Sequence, residues 1–568
     1  MSEEARIYWV AGAIGATVLT GIWLTGASAA AIFGSGWTPI RLDQLLASAL
    51  RLPSHLGDPR SAWPRGNRAA LPGAVGFYAV GVFIFGALSA LAIFASRGAE
   101  RFGLSGLLSG GRQRPPSARM ATKRDLRAIS VPSPQPKRLM LGRYGKTLLA
   151  AEEGQSAIVF APTQTFKTTG FTIPTLLEWE GPVLVTSIKN DLLGPTLARR
   201  RSMGEVMIFD PAKVTKMPSA RATPLWGATN WRGAMRVAHW LMSAANISGS
   251  EGLQDANFWS ATAEKLLAPL LFATAANGRP ISDVARWLDE GPEASQAEVD
   301  QLLGKTGVAE AQRSWQATLN REERQLSSIY LTADTAMRAF SDPHVAEETA
   351  AADYSPAMLL DGKPNTLYLC APRSEQERLR PLFSMIVQEL VGVVEELHAA
   401  KGEPLDPPLL LLLDEAANIA PVPDLDELAA TAAGLGVQLL SVFQDFTQVH
   451  VRWGRRAWTV LNNHAAKIVG SGISDRETVD FFTHTVGAGE FEQRSRTAGE
   501  KGHKSTTEGD TYRDLAPPSV LRETKPGAGL LVYKHLPAAE IGLRPWFRER
   551  SLRELREVSP GDPAAKEV

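Results

Sequence analysis

An α/β fold on a mostly parallel sheet is what this 568-residue sequence predicts, on three observations. Eight short, continuously apolar runs recur between residues 156 and 533, and strands apolar on both sides belong to a sheet covered on both faces. Segments with apolar spacing of three and four separate them, as helical crossovers require. One strand-to-helix turn, "FAPTQTFKTTGF" (160–171), carries a lysine followed by two threonines, the pattern of a loop that cradles phosphates.

The predicted strands are 156–160 (SAIVF), 183–188 (VLVTSI), 205–209 (EVMIF), 366–370 (TLYLC), 409–413 (LLLLL), 437–443 (VQLLSVF), 466–470 (AKIVG) and 529–533 (GLLVY). The core they define covers 141–227 and 346–548. Between the third and fourth runs lie more than 150 residues without a convincing strand. Pieces such as "NFWSATAEKLLAPLLFATAAN" and "SIYLTADTAMRAF" have helical spacing there, so an all-α insertion is expected at 228–345. Its tryptophans (Trp231, Trp240, Trp259, Trp287, Trp315) read most simply as core. The Pro/Gly/Arg-rich stretch 98–140 reads as a linker, the charged, apolar-poor segment 488–513 as a mobile loop, and 549–568 as a frayed tail.

The N-terminus belongs to another class. Residues 7–33 and 71–96 contain no charged side chain, and each run exceeds the roughly 20 apolar residues that cross a bilayer as a helix. A transmembrane hairpin over 1–97, with an extracytoplasmic loop between the spans, is the expectation. A signal peptide would leave the second run unexplained; a buried core hairpin is the alternative. Eight Lys/Arg follow the second run within 97–127 against five arginines in the 34–73 loop, which places both termini and the downstream domain on the cytoplasmic side.

Sixty basic residues balance sixty acidic ones, so net charge argues for neither nucleic acid nor a membrane surface. The single cysteine, Cys370, excludes an internal disulfide framework, and no C-x-x-C or H-E-x-x-H spacing suggests a transition-metal site. His239 and His464, each isolated, read as structural.

In a phosphate loop, successive backbone N–H groups and a helix N-terminus face the phosphates. The lysine reaches the β and γ oxygens, and the next hydroxyl holds Mg2+. This assigns Thr163, Gln164, Thr165, Phe166, Lys167, Thr168 and Thr169 to nucleotide binding. The five-leucine strand ends in Asp414-Glu415, where an aspartate can hold the Mg2+ water shell and a glutamate can orient or deprotonate the attacking water. A helix N-cap is the alternative for that pair. Gln444, just past another apolar strand, can contact the terminal phosphate; a surface glutamine is its alternative. Together these features favour a RecA-like P-loop ATPase using ATP and Mg2+, with Lys167, Glu415 and Gln444 catalytic and Thr168 and Asp414 on the metal.

The chain resembles the type IV secretion coupling proteins, the conjugative DNA-transfer ATPases. The resemblance rests on "FAPTQTFKTTGFTIPTLLEWEGPVLVTSIKNDL" with Lys189 and Asp191 closing it, and on "MIFDPAK", "NFWSATAEKLL", "YLCAPRSEQERLRPLFSMIVQEL", "LLLLLDEAANIAPVPDLDEL", "VQLLSVFQDFTQV" and "HAAKIVGSGISD" in the same order. The twin spans and the helical insertion agree with it. It implies a homo-hexameric ring that passes single-stranded DNA with bound relaxase, or another secreted protein, to channel proteins at the lipid membrane.

Three departures stand out. Ala161 and Phe166 occupy positions where the family has glycine, Ser187 stands where it usually carries an acid, and "TAAGLG" (431–436) lacks a basic residue often found there. Arg373, Arg380 or Arg452 are the substitutes for that trans-acting arginine. Trp453 with Arg452, Arg455 and Arg456 offers a basic-aromatic cluster for single strands, with a solvated helix face as its alternative. Two other readings stay open: a double-stranded DNA translocase, and a membrane receptor that binds nucleotide but hydrolyses it weakly.

Overall fold

The computed structural model describes residues 3–33, 40–101, 118–187, 191–246, 254–498 and 504–557, in two compact units divided near residue 116.

In the first unit, both charge-free runs are helical, over Glu3–Phe33 and Ala74–Arg101, with a short helix Leu42–Arg51 between them. A small core gathers Ala29, Ala30, Trp63, Leu71 and Phe77, with Trp63 and Phe77 edge to face at 6.3 Å. Val75, Val82 and Phe83 are exposed. Among the residues described to side-chain level, no helix is long and apolar enough to cross a membrane, so the spans remain an expectation from the sequence.

The second unit is built on one twelve-stranded sheet. Its strands are β1 (Ser130–Val131), β2 (Met140–Tyr144), β3 (Thr147–Ala150), β4 (Ala157–Phe160), β5 (Val183–Ser187), β6 (Val206–Phe209), β7 (Thr366–Cys370), β8 (Leu409–Leu413), β9 (Val437–Phe443), β10 (Ala466–Gly470), β13 (Ala528–Tyr533) and β14 (Ala539–Gly542). They lie in the order β1-β3-β2-β14-β13-β10-β4-β9-β8-β5-β7-β6. From β10 to β6 every pairing is parallel; from β1 to β13, and at the β13–β10 join, every pairing is antiparallel. Parallel strands need covered faces, and β4, β5, β7, β8 and β9 are buried along their whole length. All eight predicted strands are in this sheet.

Between β6 and β7 the chain is helical, from Trp231–Asn246 through Gln254–Ala276 to Glu323–Met337. Trp287 and Trp315 are wholly buried there, while Trp231, Trp240 and Trp259 pack partly buried against the same core.

Three segments depart from the sequence reading. From residue 118 the expected linker is ordered: Asp125 accepts from the Thr122 backbone and hydroxyl, β1 pairs with β3, and Leu126, Ile129 and Val131 are buried. The expected mobile loop 488–513 is a hairpin instead, β11 (Ala488–Ala498) against β12 (Lys504–Asp514), in unbroken register from Ala488–Asp514 to Ala498–Lys504. A two-stranded ladder satisfies its own backbone without apolar side chains, so composition does not reveal it. The expected tail begins with a helix, Arg550–Arg556, whose Leu552 is buried; 558–568 lie outside the described residues.

Candidate nucleotide site

The site forms at the carboxyl ends of the central parallel strands, beside the point where the chain leaves β4 for β5 across β9 and β8. At the end of β4 the Ala161 N–H donates to the Phe443 carbonyl at 3.0 Å, holding the turn against β9. Ala161 is buried, and a Cβ placed on Gly470 would stand 3.0 Å from the Ala161 methyl, so the position is close-packed. Thr165 closes the turn by donating its hydroxyl to the Pro162 carbonyl at 2.7 Å.

The second glycine position keeps glycine's geometry with a different residue. Phe166 has φ +67° and Gln164 φ +64°, a left-handed backbone that costs an L residue about 1–2 kcal/mol. The Phe166 ring lies 6.1 Å from the Phe547 ring and 5.2 Å from the Arg548 guanidinium, contacts that offset part of the strain. After Lys167 the chain makes one wide π-helical turn, Thr168–Thr172, before the helix Ile173–Glu178. Pro174 has no N–H to donate back along that turn, which accounts for the local widening. A carboxy-proximal strap lies on the same turn: Arg544 N–H donates to the Gly170 carbonyl and Trp546 N–H to that of Thr169, both at 3.0 Å.

Lys167 is buried and its ammonium donates to Glu415 Oε1, also buried. Gln444 Nε2 donates to both Glu415 oxygens at 3.2 and 3.1 Å, and Asn418 Nδ2 to Oε2 at 3.3 Å. The Gln448 side-chain oxygen, Oε1, accepts from the Gln444 backbone N–H at 3.0 Å. Glu415 has a left-handed φ of +55°, and no helix starts there: the next begins at Leu425, so Asp414-Glu415 is not an N-cap.

Thr168 Oγ1 stands 3.4 Å from Asp414 Oδ2, and the Thr186 hydroxyl donates to the Asp414 carbonyl at 2.8 Å. Burial pushes the Asp414 carboxyl up to about 7; Lys167 pulls against this, while Glu415 and Asp191 add to it.

These groups line one cavity of about 930 Å³, together with Thr163, Gln164, Asp191, Arg373, Gln376 and Arg380. Four of its buried polar atoms have no protein partner: Thr169 Oγ1, Gln376 Nε2, Arg380 Nε and Asp414 Oδ1. The first three can donate to an anion, and the fourth can accept a cation. An anionic ligand carrying a divalent metal satisfies both demands, so the residues fit Mg2+ with a polyphosphate, and Asp414 and Thr168 are the groups that would hold the metal.

The sequence reading gave no role to Asn418, Gln376 and Gln448, amides within the quoted stretches that enter the site only because β7, β8 and β9 end together. Lys189 lies outside the described residues. One further expectation changes. Trp453 is buried and donates its indole N–H to the Val422 carbonyl at 2.9 Å, while Arg456 pairs with Asp424 and Asp426 at 3.0 and 3.3 Å. That cluster is therefore a packed helix rather than a stacking face for bases. His464 is structural as expected: wholly buried, beside the Ser441 hydroxyl at 3.1 Å, and held by burial down at about 4, hence neutral.

A phosphate loop with a facing Asp-Glu strand on a mostly parallel sheet defines the P-loop nucleotide-binding class. Residues 120–554 match the family of type IV secretory system conjugative DNA transfer proteins, and the chain belongs to that family. It is 23% identical over 427 residues to protein VirD4 of Rhizobium rhizogenes, covering 74% of this chain and 62% of that protein. It is 24% identical over 378 residues to the conjugal transfer protein TraG of Escherichia coli, covering 59% and 58%. The chain thus spans only about three fifths of these relatives. Among solved structures, the bacterial conjugative coupling protein TrwB lacking its first 70 residues shares the fold at TM-score 0.57 and 15% identity, over 77% of this chain and 95% of that one. TrwB in complex with ADP and Mg2+ superposes at TM-score 0.56 and 15% identity, over 77% and 96%.

Proposed function

We propose that the chain is a membrane-anchored ATPase that recruits single-stranded DNA with its bound relaxase and drives it into a type IV secretion channel. The observation that carries the reading is the cavity at the strand ends, where Lys167 and Thr168 meet Asp414, Glu415 and Gln444. The family membership, and the ADP–Mg2+ complex of TrwB, support nucleotide as its ligand.

The Lys167–Glu415 pair suggests how the site is switched. Lys167 and Glu415 satisfy each other out of water, and removing one partner of a buried pair costs about 3–5 kcal/mol. An incoming phosphate takes the ammonium, releasing Glu415 to face the attacking water and Gln444 to follow the terminal phosphate. Bound Mg2+ would supply charge neutralisation at the phosphate oxygens. Asp414, whose carboxyl burial pushes up to about 7, would hold the cation in its charged form together with Thr168. Phe166 leaves the loop curled as a glycine would, so the substitution is compatible with phosphate binding.

Membrane anchoring through 7–33 and 71–96 is supported by the two charge-free runs and by the exposed Val75, Val82 and Phe83. We place the termini and the ATPase domain in the cytoplasm, and the ring as a homo-hexamer closed by cyclic symmetry. Channel proteins and lipid complete the set of partners.

The purified full chain in detergent is expected to hydrolyse ATP with Mg2+, faster with single- than with double-stranded DNA, and Lys167→Ala is expected to abolish both hydrolysis and transfer. Normal transfer by that variant in cells lacking the wild-type chain would defeat the motor reading. Preferential stimulation by duplex DNA would favour the double-strand translocase. Binding without turnover would favour a receptor, a reading to which the Lys167–Glu415 pair lends support.

A further inference from the structure

The Lys167 and Glu415 groups of the cavity answer one another; another set of its groups has no such close partner among the described residues. Arg373 follows β7, and Gln376 and Arg380 lie on the first turns of the helix Gln376–Lys401. Gln376 and Arg380 are more than nine-tenths buried, yet Gln376 Nε2 and Arg380 Nε have no hydrogen-bond partner. Among the described residues neither Arg373 nor Arg380 makes an ion pair. The nearest carboxylate acting on Arg380 is Glu377, three residues along the same helix, and the guanidinium of Arg452 stands near enough to repel it. A buried guanidinium with no ion pair among the described residues, sharing the field of one carboxylate with a second cation, is an unfavourable arrangement unless a ligand completes it.

The sheet order says which part of the ligand that is. The phosphate loop follows β4, Asp414 and Glu415 follow β8, and Arg373 follows β7, two places beyond β8. The strap of Trp546–Arg548 lies on the opposite flank of the loop, against Thr169 and Phe166. A nucleotide threaded along this edge presents its terminal phosphate toward β7. We infer that Arg380, assisted by Arg373 and Gln376, binds the terminal phosphate of a nucleoside triphosphate within the same chain, deepening the nucleotide reading on which the inference rests. The planar fork of a guanidinium matches phosphate oxygens in a way an ammonium does not. Burial also holds Arg380 below the usual arginine range, so an anion beside it offsets the cost of keeping that charge out of water. The cation sought in the sequence as a neighbour's contribution is thereby supplied in cis.

The test compares nucleotides that differ only in that phosphate. The full chain in detergent, diluted until sedimentation shows a single copy, is titrated with a non-hydrolysable ATP analogue and with ADP, each with Mg2+. The wild type is expected to favour the triphosphate about tenfold or more, a difference of about 1.4 kcal/mol. Arg380→Gln, and separately the exposed Arg373→Ala, are expected to erode that preference while leaving the ADP Kd within about twofold. An unchanged preference in both variants overturns the inference. Equal weakening for both nucleotides also overturns it, by making these residues structural, and so does a preference that appears only after self-association, which would assign the arginine to a neighbouring copy. A wild-type chain that binds neither nucleotide sinks the nucleotide reading as well, and that result differs from all the others.

Discussion

The two halves of the sheet divide the labour. The parallel half, β10 to β6, ends its strands at one edge, and the segments that follow β4, β5, β7, β8 and β9 supply the side chains that line the cavity. The antiparallel half, β1 to β13, contributes no side chain to the cavity and instead holds the carboxy-proximal strap on the phosphate loop. Its anchor is ionic: Arg544, almost fully buried, donates to both Glu178 oxygens at 2.7 Å and to Glu549 at 2.8 Å, and Arg143 reaches Glu549 at 2.7 Å. These partners hold the Glu549 carboxyl down at about 2 against the opposing effect of burial. Chemistry and clamping thus occupy separate halves, which meet along the β10–β13 ladder and again at the loop.

Substitutions break or sharpen that division. Asp414→Asn, in the parallel half, is expected to lower Mg2+-dependent hydrolysis by about 10²–10³-fold, of the order seen when a charge-stabilising group is lost, with little change in Tm. A fall in Tm matching the lost turnover would erase the distinction. Arg544→Ala, in the antiparallel half, leaves two carboxylates short of their cation and is expected to cost about 3–5 kcal/mol of stability, with residual turnover preserved in the folded fraction. Calorimetry beside single-turnover kinetics separates the two outcomes.

Glu389 asks whether position in the parallel half is enough to matter to catalysis. It lies on the helix after β7 but outside the cavity, its carboxyl oxygens buried without partners and burial pushing it up to about 8. The folded state keeps a proton that the unfolded chain releases above its ordinary value of 4.5. Its contribution to stability is therefore fully present below that value and lost as pH rises toward 8. Glu389→Gln is expected to raise Tm at pH 8.5, to change it little at pH 4.5, and to leave nucleotide affinity unaltered; equal Tm gains at both pH values would contradict this. The smallest effect belongs to the seam between the halves. Phe166→Gly relieves about 1–2 kcal/mol of left-handed strain and loses ring contacts of similar size, so thermal stability is expected to stay nearly constant. A large loss would show the ring to be a main support of the strap.

The same division explains what the sequence discloses. The strands of the parallel half are continuous apolar runs, and five consecutive leucines at 409–413 admit few other readings. β2, with Gly142 and Arg143 in its five residues, and the four-residue β3 and β14 carry no comparable signal. The hairpin 488–514 has the composition of a loop because its stability lies in backbone pairing. In the site, Lys167, Thr168, Asp414 and Glu415 are legible because a phosphate loop and a strand-end acid pair fix their type and spacing. Asn418 and Gln376 are not, since an amide becomes meaningful only when strands distant in sequence end beside each other. Trp453 illustrates the converse: its sequence neighbours are arginines, but its spatial neighbours are Phe443 and the Val422 carbonyl.

The backbone bonds from Arg544 and Trp546 to Gly170 and Thr169 have a bearing on how the protein is made. A chain emerging from the ribosome exposes residues 160–172 long before residue 546 exists, and in that interval the loop lacks its brace. Those two carbonyls therefore find their donors only once translation has passed the last strand of the sheet and the strap beyond it, so a prematurely terminated product would carry its phosphate loop unbraced.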